Sequence, residues 1–212
     1  LAAVSSANAG ELSATGGVDM TWISMDDEIT GNPIGIGSNY SLSGSGELDN
    51  GWGVALTIAA TNAMAYSNTN VVVTIPSMGD LRISHGVSGS GIDRMDDVTP
   101  NVWEEAYATG LSTGINTISG VSGSTNIEWT PNMLPDGITA RVAYTPDHSG
   151  SKNTDKSYSG ISTSQGVGYD VTVVVSDAIT GMSGLTVGGG MSNRDVPAGD
   201  IEEQTLYATY AV

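Results

Sequence analysis

Five carboxylates and one guanidinium crowd the stretch from Gly86 to Gly110: Asp93, Arg94, Asp96, Asp97, Glu104 and Glu105. Five acids against one base leave this stretch at −4, so its chemistry is electrostatic: it draws cations and repels anions. Catalysis has little to work with. Adjacent acids such as Glu104 and Glu105 point apart in an extended chain. His85 and His148 are the only histidines, and neither a Gly-x-Ser-x-Gly elbow nor a His-Glu-x-x-His pair occurs. The chain does not read as an enzyme. Hard oxygens at Asp93, Asp96 and Asp97, and at Asp26, Asp27 and Glu28, could hold Ca²⁺ loosely, but neither group has the twelve-residue calcium loop with its terminal bidentate Glu. No cofactor is expected. An acidic loop simply solvated by water is the plainer alternative, and Trp103 argues against it, because a Trp between polar residues needs something to pack on.

The elements that must position these acids are strands. Leu12, Ala14, Gly16, Val18, Met20 and Trp22 alternate with Ser13, Thr15, Gly17, Asp19 and Thr21, and a period of two gives one greasy and one polar face. The ribbon recurs at 39–48, 52–58, 70–75, 81–84, 125–129, 138–144, 169–175, 185–189 and 204–212, which predicts about ten strands. Asp49-Asn50-Gly51 is a hairpin signal. Met78 to Asp80, Pro131 to Gly137 and Asp177 to Gly184 also read as turns. Long polar connections are expected elsewhere: after Ser24, from Gly86 to Ser124, from Thr145 to Gln165 (with Lys152 and Lys156), and a last acidic loop holding Asp195, Asp200, Glu202 and Glu203. Alternation places Arg82, between Leu81 and Ile83, and Arg141, between Ala140 and Val142, on the polar face. Trp22, Tyr40, Trp52, Trp129 and Tyr144 fall near ribbon ends.

Composition bounds the class. The 212 residues include 29 Gly, no Phe and no Cys, with 39% hydrophobic and 14% charged residues. That fits many short strands with Gly-rich turns better than a helical or a disordered chain. A formal charge of −17 with six Lys and Arg excludes nucleic acid as partner. No stretch approaches the roughly 18–20 apolar residues of a membrane helix, so any crossing is by strands. A sheet with one lipid-like face, short turns alternating with long loops and aromatic strand ends is what a transmembrane β-barrel needs. Ala7-Asn8-Ala9 resembles the end of a signal peptide, making 1–9 a remnant of one and 10–212 a partial barrel. A final strand with no partner would leave an open edge in lipid, which implies a fragment.

The run MGDLRISHG (Met78 to Gly86), followed by an acidic stretch ending PNVWEEAYATG (Pro100 to Gly110), resembles the third strand-connecting loop of Gram-negative general porins, particularly the α-proteobacterial type. The likeness covers most of the chain as pattern and roughly 35 residues as motif. It implies a 16-stranded antiparallel barrel, a homotrimer and a bacterial outer-membrane location, with passive diffusion of small hydrophilic solutes and cations through a water-filled, cation-preferring channel. The loop at about 86–110 would fold inward and present Asp93, Asp96, Asp97, Glu104 and Glu105 to the pore, with Arg82 and Arg141 as the basic wall and Trp22, Trp52, Trp129, Tyr40 and Tyr144 as an aromatic girdle against outer-membrane lipid. The family stacks several arginines on that wall, and this chain offers few. Two other readings compete. A secreted acidic adhesin or β-solenoid should show a fixed repeat, and none occurs. A soluble carbohydrate-binding sandwich should fill its core with larger side chains.

Overall fold

The computed structural model describes residues 12–22, 34–61, 65–87, 89–95, 98, 118–146, 148 and 166–211. Ten strands form one antiparallel sheet: β1 (Ser13–Trp22), β2 (Ile34–Glu47), β3 (Gly53–Thr61), β4 (Ala65–Ile75), β5 (Gly79–His85), β6 (Asn126–Thr130), β7 (Ile138–Thr145), β8 (Gly168–Val175), β9 (Leu185–Arg194) and β10 (Ile201–Tyr210). Each strand pairs with its sequence neighbours, so the sheet is a simple meander. It is open: β1 pairs only with β2, and β10 only with β9. The Asp177–Gly184 turn contains one helical turn, α1 (Asp177–Thr180), capped by Gly181.

The strands match the alternating ribbons, with three corrections. β4 begins at Ala65, in a Ser/Asn/Thr-rich run without apolar alternation, and a register irregularity at Ala59/Ala60 accompanies its pairing with β3. The connection between β3 and β4 is therefore 62–64. β2 likewise starts earlier, at Ile34, and pairs with β1 as far as Trp22. Glu202 and Glu203 belong to β10 rather than to the loop before it.

The register sorts most side chains into two chemistries, the exceptions including Val72, Val174 and Tyr207 on the polar face and Thr69, Asn193 and Gln204 on the apolar one. One face carries Leu42, Val54, Leu56, Ile58, Val71, Val73, Leu81, Ile83, Ile127, Trp129, Val142, Tyr144, Tyr169, Val171, Val173, Met191, Leu206 and Tyr210; the other carries Thr15, Ser41, Ser43, Thr57, Asn70, Thr74, Arg82, Ser84, Asn126, Glu128, Arg141, Asp170, Thr172, Ser192 and Glu203. Hydroxyl pairs such as Thr15 with Ser41 (2.7 Å) and Ser43 with Thr57 (3.3 Å) link strands across the polar face. Burial is inverted. Among the described residues, ten polar or charged side chains are buried against five hydrophobic ones, Ala60, Ile92, Met95, Val121 and Ala143. Three of those five, Ile92, Met95 and Val121, come from the connection between β5 and β6 rather than from the sheet. The molecule's packed core is this connection lying on the polar face, while the apolar face stays exposed.

Candidate functional site

The site is a row of side chains running across six strands. Register pairs Arg82 with Glu128, Glu128 with Ala143, Ala143 with Asp170, Asp170 with Ser192 and Ser192 with Glu203. Carboxylates thus stand on β6, β8 and β10, with small Ala143 and Ser192 on the strands between. Neighbouring strands lie about 4.8 Å apart, so the carboxylates are spaced by about 10 Å. Glu128 and Asp170 are buried, at 2% and 0% exposure. Buried carboxylates need hydrogen-bond donors, and the β5–β6 connection supplies them from its backbone.

Two arms of that connection are described, 89–95 and 118–124. In the first, residues Gly91–Met95 form a 3₁₀ turn. The Gly91 N–H donates to Glu128 Oε2 at 2.7 Å and the Ile92 N–H to Asp170 Oδ2 at 3.0 Å. In the second, the Val121 N–H donates to the same Asp170 Oδ2 at 3.1 Å, and the Gly120 and Ser119 N–H groups donate to Glu203 at 2.8 and 3.4 Å. Hydrogen bonds from backbone amides to ionised carboxylates are about twice as strong as neutral ones. The row is therefore a three-point anchor.

Local sequence makes this approach possible. Gly91 and Gly120 both adopt positive φ, 57° and 51°, and a Cβ on either would strike the Asp170 carboxylate. Only glycine satisfies both requirements. On the sheet, Gly190 and Gly168 leave the hollows that the loop fills: a Cβ on Gly190 would come within 3.4 Å of Ile92 Cγ1, and one on Gly168 within 3.0 Å of Val121 Cγ1. Ile92 and Val121 are completely buried there. Each arm thus sets one fully buried β-branched side chain, Ile92 or Val121, directly after a positive-φ glycine.

The arms are also tied to each other. Asp93 Oδ2 accepts from the Gly89 N–H and from the Ser122 hydroxyl, the latter at 2.8 Å, and Val87 O accepts from the Gly123 N–H at 3.1 Å. Asp93 is therefore engaged inside the loop. Asp96, Asp97, Trp103, Glu104 and Glu105 lie outside the described residues, as do the 1–9 segment and Asp26 to Glu28. Arg82 and Arg141 do stand on the polar face. Arg82 Nε donates to Ser84 Oγ at 2.7 Å and its Nη2 to Ser90 Oγ at 3.2 Å. Arg94 pairs with Glu128, and Arg194 with Glu203 at 2.9 Å. Arg194 Nη1 also lies 2.8 Å from His148 Nε2.

Tyr40, Trp52 and Tyr144 are exposed on the apolar face. Tyr144, with its cross-strand neighbour Tyr169, sits at the end of the sheet from which the long connections leave. Trp52 and Trp129 sit at the other end, where the Trp129 indole donates to Met78 O at 3.0 Å. Trp22 closes β1 opposite Ile34, and its side chain is outside the description. Among the described residues, no three His, Asp or Glu side chains are grouped to hold a metal ion.

Sequence reasoning missed Glu128, Asp170 and Arg194, and misplaced Glu203 in a loop. A signal existed: Glu128 between Ile127 and Trp129, and Asp170 between Tyr169 and Val171, are lone acids at polar-face positions of otherwise apolar ribbons. Taken together, fold and site define an all-β protein, a ten-stranded antiparallel meander whose polar face captures one of its own connections. No protein-family model and no curated protein matches the chain.

Proposed function

We propose that this chain forms the wall of a general-porin-type β-barrel in a bacterial outer membrane, a channel for passive diffusion of small hydrophilic solutes and ions that prefers cations. The observation that carries this reading is the inverted burial. Val18 is 73% and Leu206 79% exposed, and the apolar face between them is open from β1 to β10. In water an apolar patch of more than a few hundred Å² is a liability or an interface, whereas in a bilayer it is the required surface. Strand length agrees: β1, β3, β4, β7, β8, β9 and β10 run 8 to 11 residues, close to the 9–11 needed to cross on a tilt of about 45°. Crossing by strands also demands that both sheet edges find partners, so β1 and β10 must each pair with a further strand or with each other. A 16-stranded, homotrimeric barrel satisfies this demand and would give the apolar face two neighbours, lipid and a second subunit.

Function then follows from the polar face. Its hydroxyl, amide and charged groups would line water, and a connection anchored to it would narrow the lumen. The formal charge of −17 and the acids of the 86–110 stretch favour cations at the mouth, with Arg82 and Arg141 on the wall to which that connection is anchored and Trp22, Trp52, Trp129, Tyr40 and Tyr144 at the lipid boundaries.

Two measurements test this. Protein from outer membranes should migrate faster on unheated than on heated gels, and a soluble, heat-insensitive product refutes the barrel. In planar bilayers under a KCl gradient the reversal potential should report cation preference, and neutralising Asp96 and Asp97 should reduce it. An unchanged reversal potential removes those acids from the mechanism.

A further inference from the structure

The four arginines of the chain, Arg82, Arg94, Arg141 and Arg194, all lie on the polar face or in the arm docked on it, although the whole chain is strongly acidic. Two of them, Arg82 and Arg94, meet around a single carboxylate, and a third, Arg141, stands diagonally beside it. Glu128 Oε1 takes the Arg94 guanidinium and lies 3.9 Å from Arg82 Nη1, while Oε2 is occupied by the Gly91 N–H. Arg141 stands diagonally from Glu128, on the same face and two residues from the cross-strand neighbour Ala143. Long side chains bridge such diagonals, and the charges of Arg94 and Glu128 both act on Arg141.

Acceptors run short here. Three guanidinium charges against one carboxylate leave the cluster at +2. Of the other carboxylates of the row, Asp170 gives its Oδ2 to the Ile92 and Val121 amides and keeps a buried Oδ1 that accepts no hydrogen bond among the described residues, while Glu203 takes the Gly120 amide and Arg194. Among the described residues Arg141 makes no hydrogen bond or ion pair, and the buried Nε of Arg94 has no acceptor. Tyr207 also stands on the polar face, three strands along from Arg141, with its ring over Gly188. Its phenol adds a hydroxyl donor at that side.

We propose that Arg141, flanked by Arg82 and Arg94, is a binding station for a small oxyanion: a carboxylate, phosphate or sulfate group. A guanidinium presents a planar fork of N–H donors that matches two oxygens of such a group at once, and it keeps its charge at any working pH. The station goes beyond the channel reading and does not need it. The acids of the loops set which ions gather at the surface; the arginine cluster gives an anionic group that arrives a place to stop.

The experiment is calorimetric titration of the full chain, folded in detergent, with inorganic sulfate at low ionic strength. Sulfate should bind saturably. Arg141→Gln should weaken it at least tenfold, and Arg141→Lys, which keeps the charge but not the fork, should fall between. Lys152→Gln, which removes the same charge from the long connection after β7, should leave the affinity unchanged. Circular dichroism and heat-modifiable migration verify that the variants are folded; should Arg141→Gln fail there, Arg141→Lys alone decides, and wild-type affinity in it refutes the fork. Absence of saturable binding, or equal weakening by Arg141→Gln and Lys152→Gln, overturns the proposal. Because binding is read without a membrane current, a chain that binds sulfate but carries no current refutes the channel and keeps the station, and a conducting chain that binds none does the reverse.

Discussion

Replacing Asp170 by alanine tests the anchor at its central point. The Asp170 carboxylate is fully buried, and its Oδ2 alone accepts from both arms of the loop, from Ile92 at 3.0 Å and Val121 at 3.1 Å. Alanine leaves two buried N–H donors without acceptors, at about 1–3 kcal/mol each, so docking should weaken by about 2–6 kcal/mol. Asp170→Asn is the gentler probe. It keeps the shape and one acceptor oxygen but converts two charge-assisted bonds to neutral ones, a loss of about 1 kcal/mol each. A total near 2 kcal/mol shifts the docked-to-undocked ratio by about thirtyfold, since about 1.4 kcal/mol is a factor of ten. Amide hydrogen exchange by mass spectrometry, on the folded protein, reads this directly. Peptides covering 89–95 and 118–124 should exchange faster in the order wild type, Asn, Ala, while peptides of β8 and β9 keep their protection. If the alanine variant leaves both arms as protected as wild type, the carboxylate row does not hold the loop and the account of the site is wrong.

Two further outcomes follow from the same geometry. Gly120→Ala and Gly123→Ala both place a side chain at positive φ, 51° and 76°, which costs about 1–2 kcal/mol, but only the Gly120 Cβ meets Asp170 and Ile92, whereas Gly123 faces open space. Loop protection should therefore drop distinctly further in Gly120→Ala, and equal effects would mean that strain rather than close approach governs the position. Val173, 41% exposed at the apolar face of β8, separates bilayer from water: Val173→Arg should cost about 2–4 kcal/mol in a membrane and within about 0.5 kcal/mol on a water-facing surface, as measured by urea unfolding in lipid vesicles.

How far the sequence could be read depended on whether a feature lies along one strand or between strands. The apolar alternation of Val171, Val173 and Val175, or of Leu81 and Ile83, is a property of one segment, so strands, faces and the positions of Arg82 and Arg141 were legible. β4 was read short because Ser67, Asn68, Thr69 and Asn70 offer no apolar period, and its pairing is imposed by β3 and β5 instead. The carboxylate row was hidden for a related reason. Glu128, Asp170 and Glu203 are far apart in sequence and become one device only through four successive registers. Trp103 suggested a connection that packs on something; the packing that the structure describes is made by Ile92 and Val121, β-branched residues directly after a glycine, in stretches that look like ordinary linker.

The anchoring also dictates an order of assembly. Every strand pairs with the one made just before it, so the meander can zip from hairpin to hairpin with short loop closures. The loop cannot follow that schedule. Its arms are synthesised before β8 and β10 exist, yet Ile92 waits for Asp170, 78 residues on, and Ser119 for Glu203, 84 residues on. Contacts of such separation form late, because closure entropy is met before the contact rewards it. During that interval the sheet exists with its polar face bare, Gly168 and Gly190 unfilled and three carboxylates in water. β10 thus completes the clasp, and the loop is held at all three of its points only once that strand has been built.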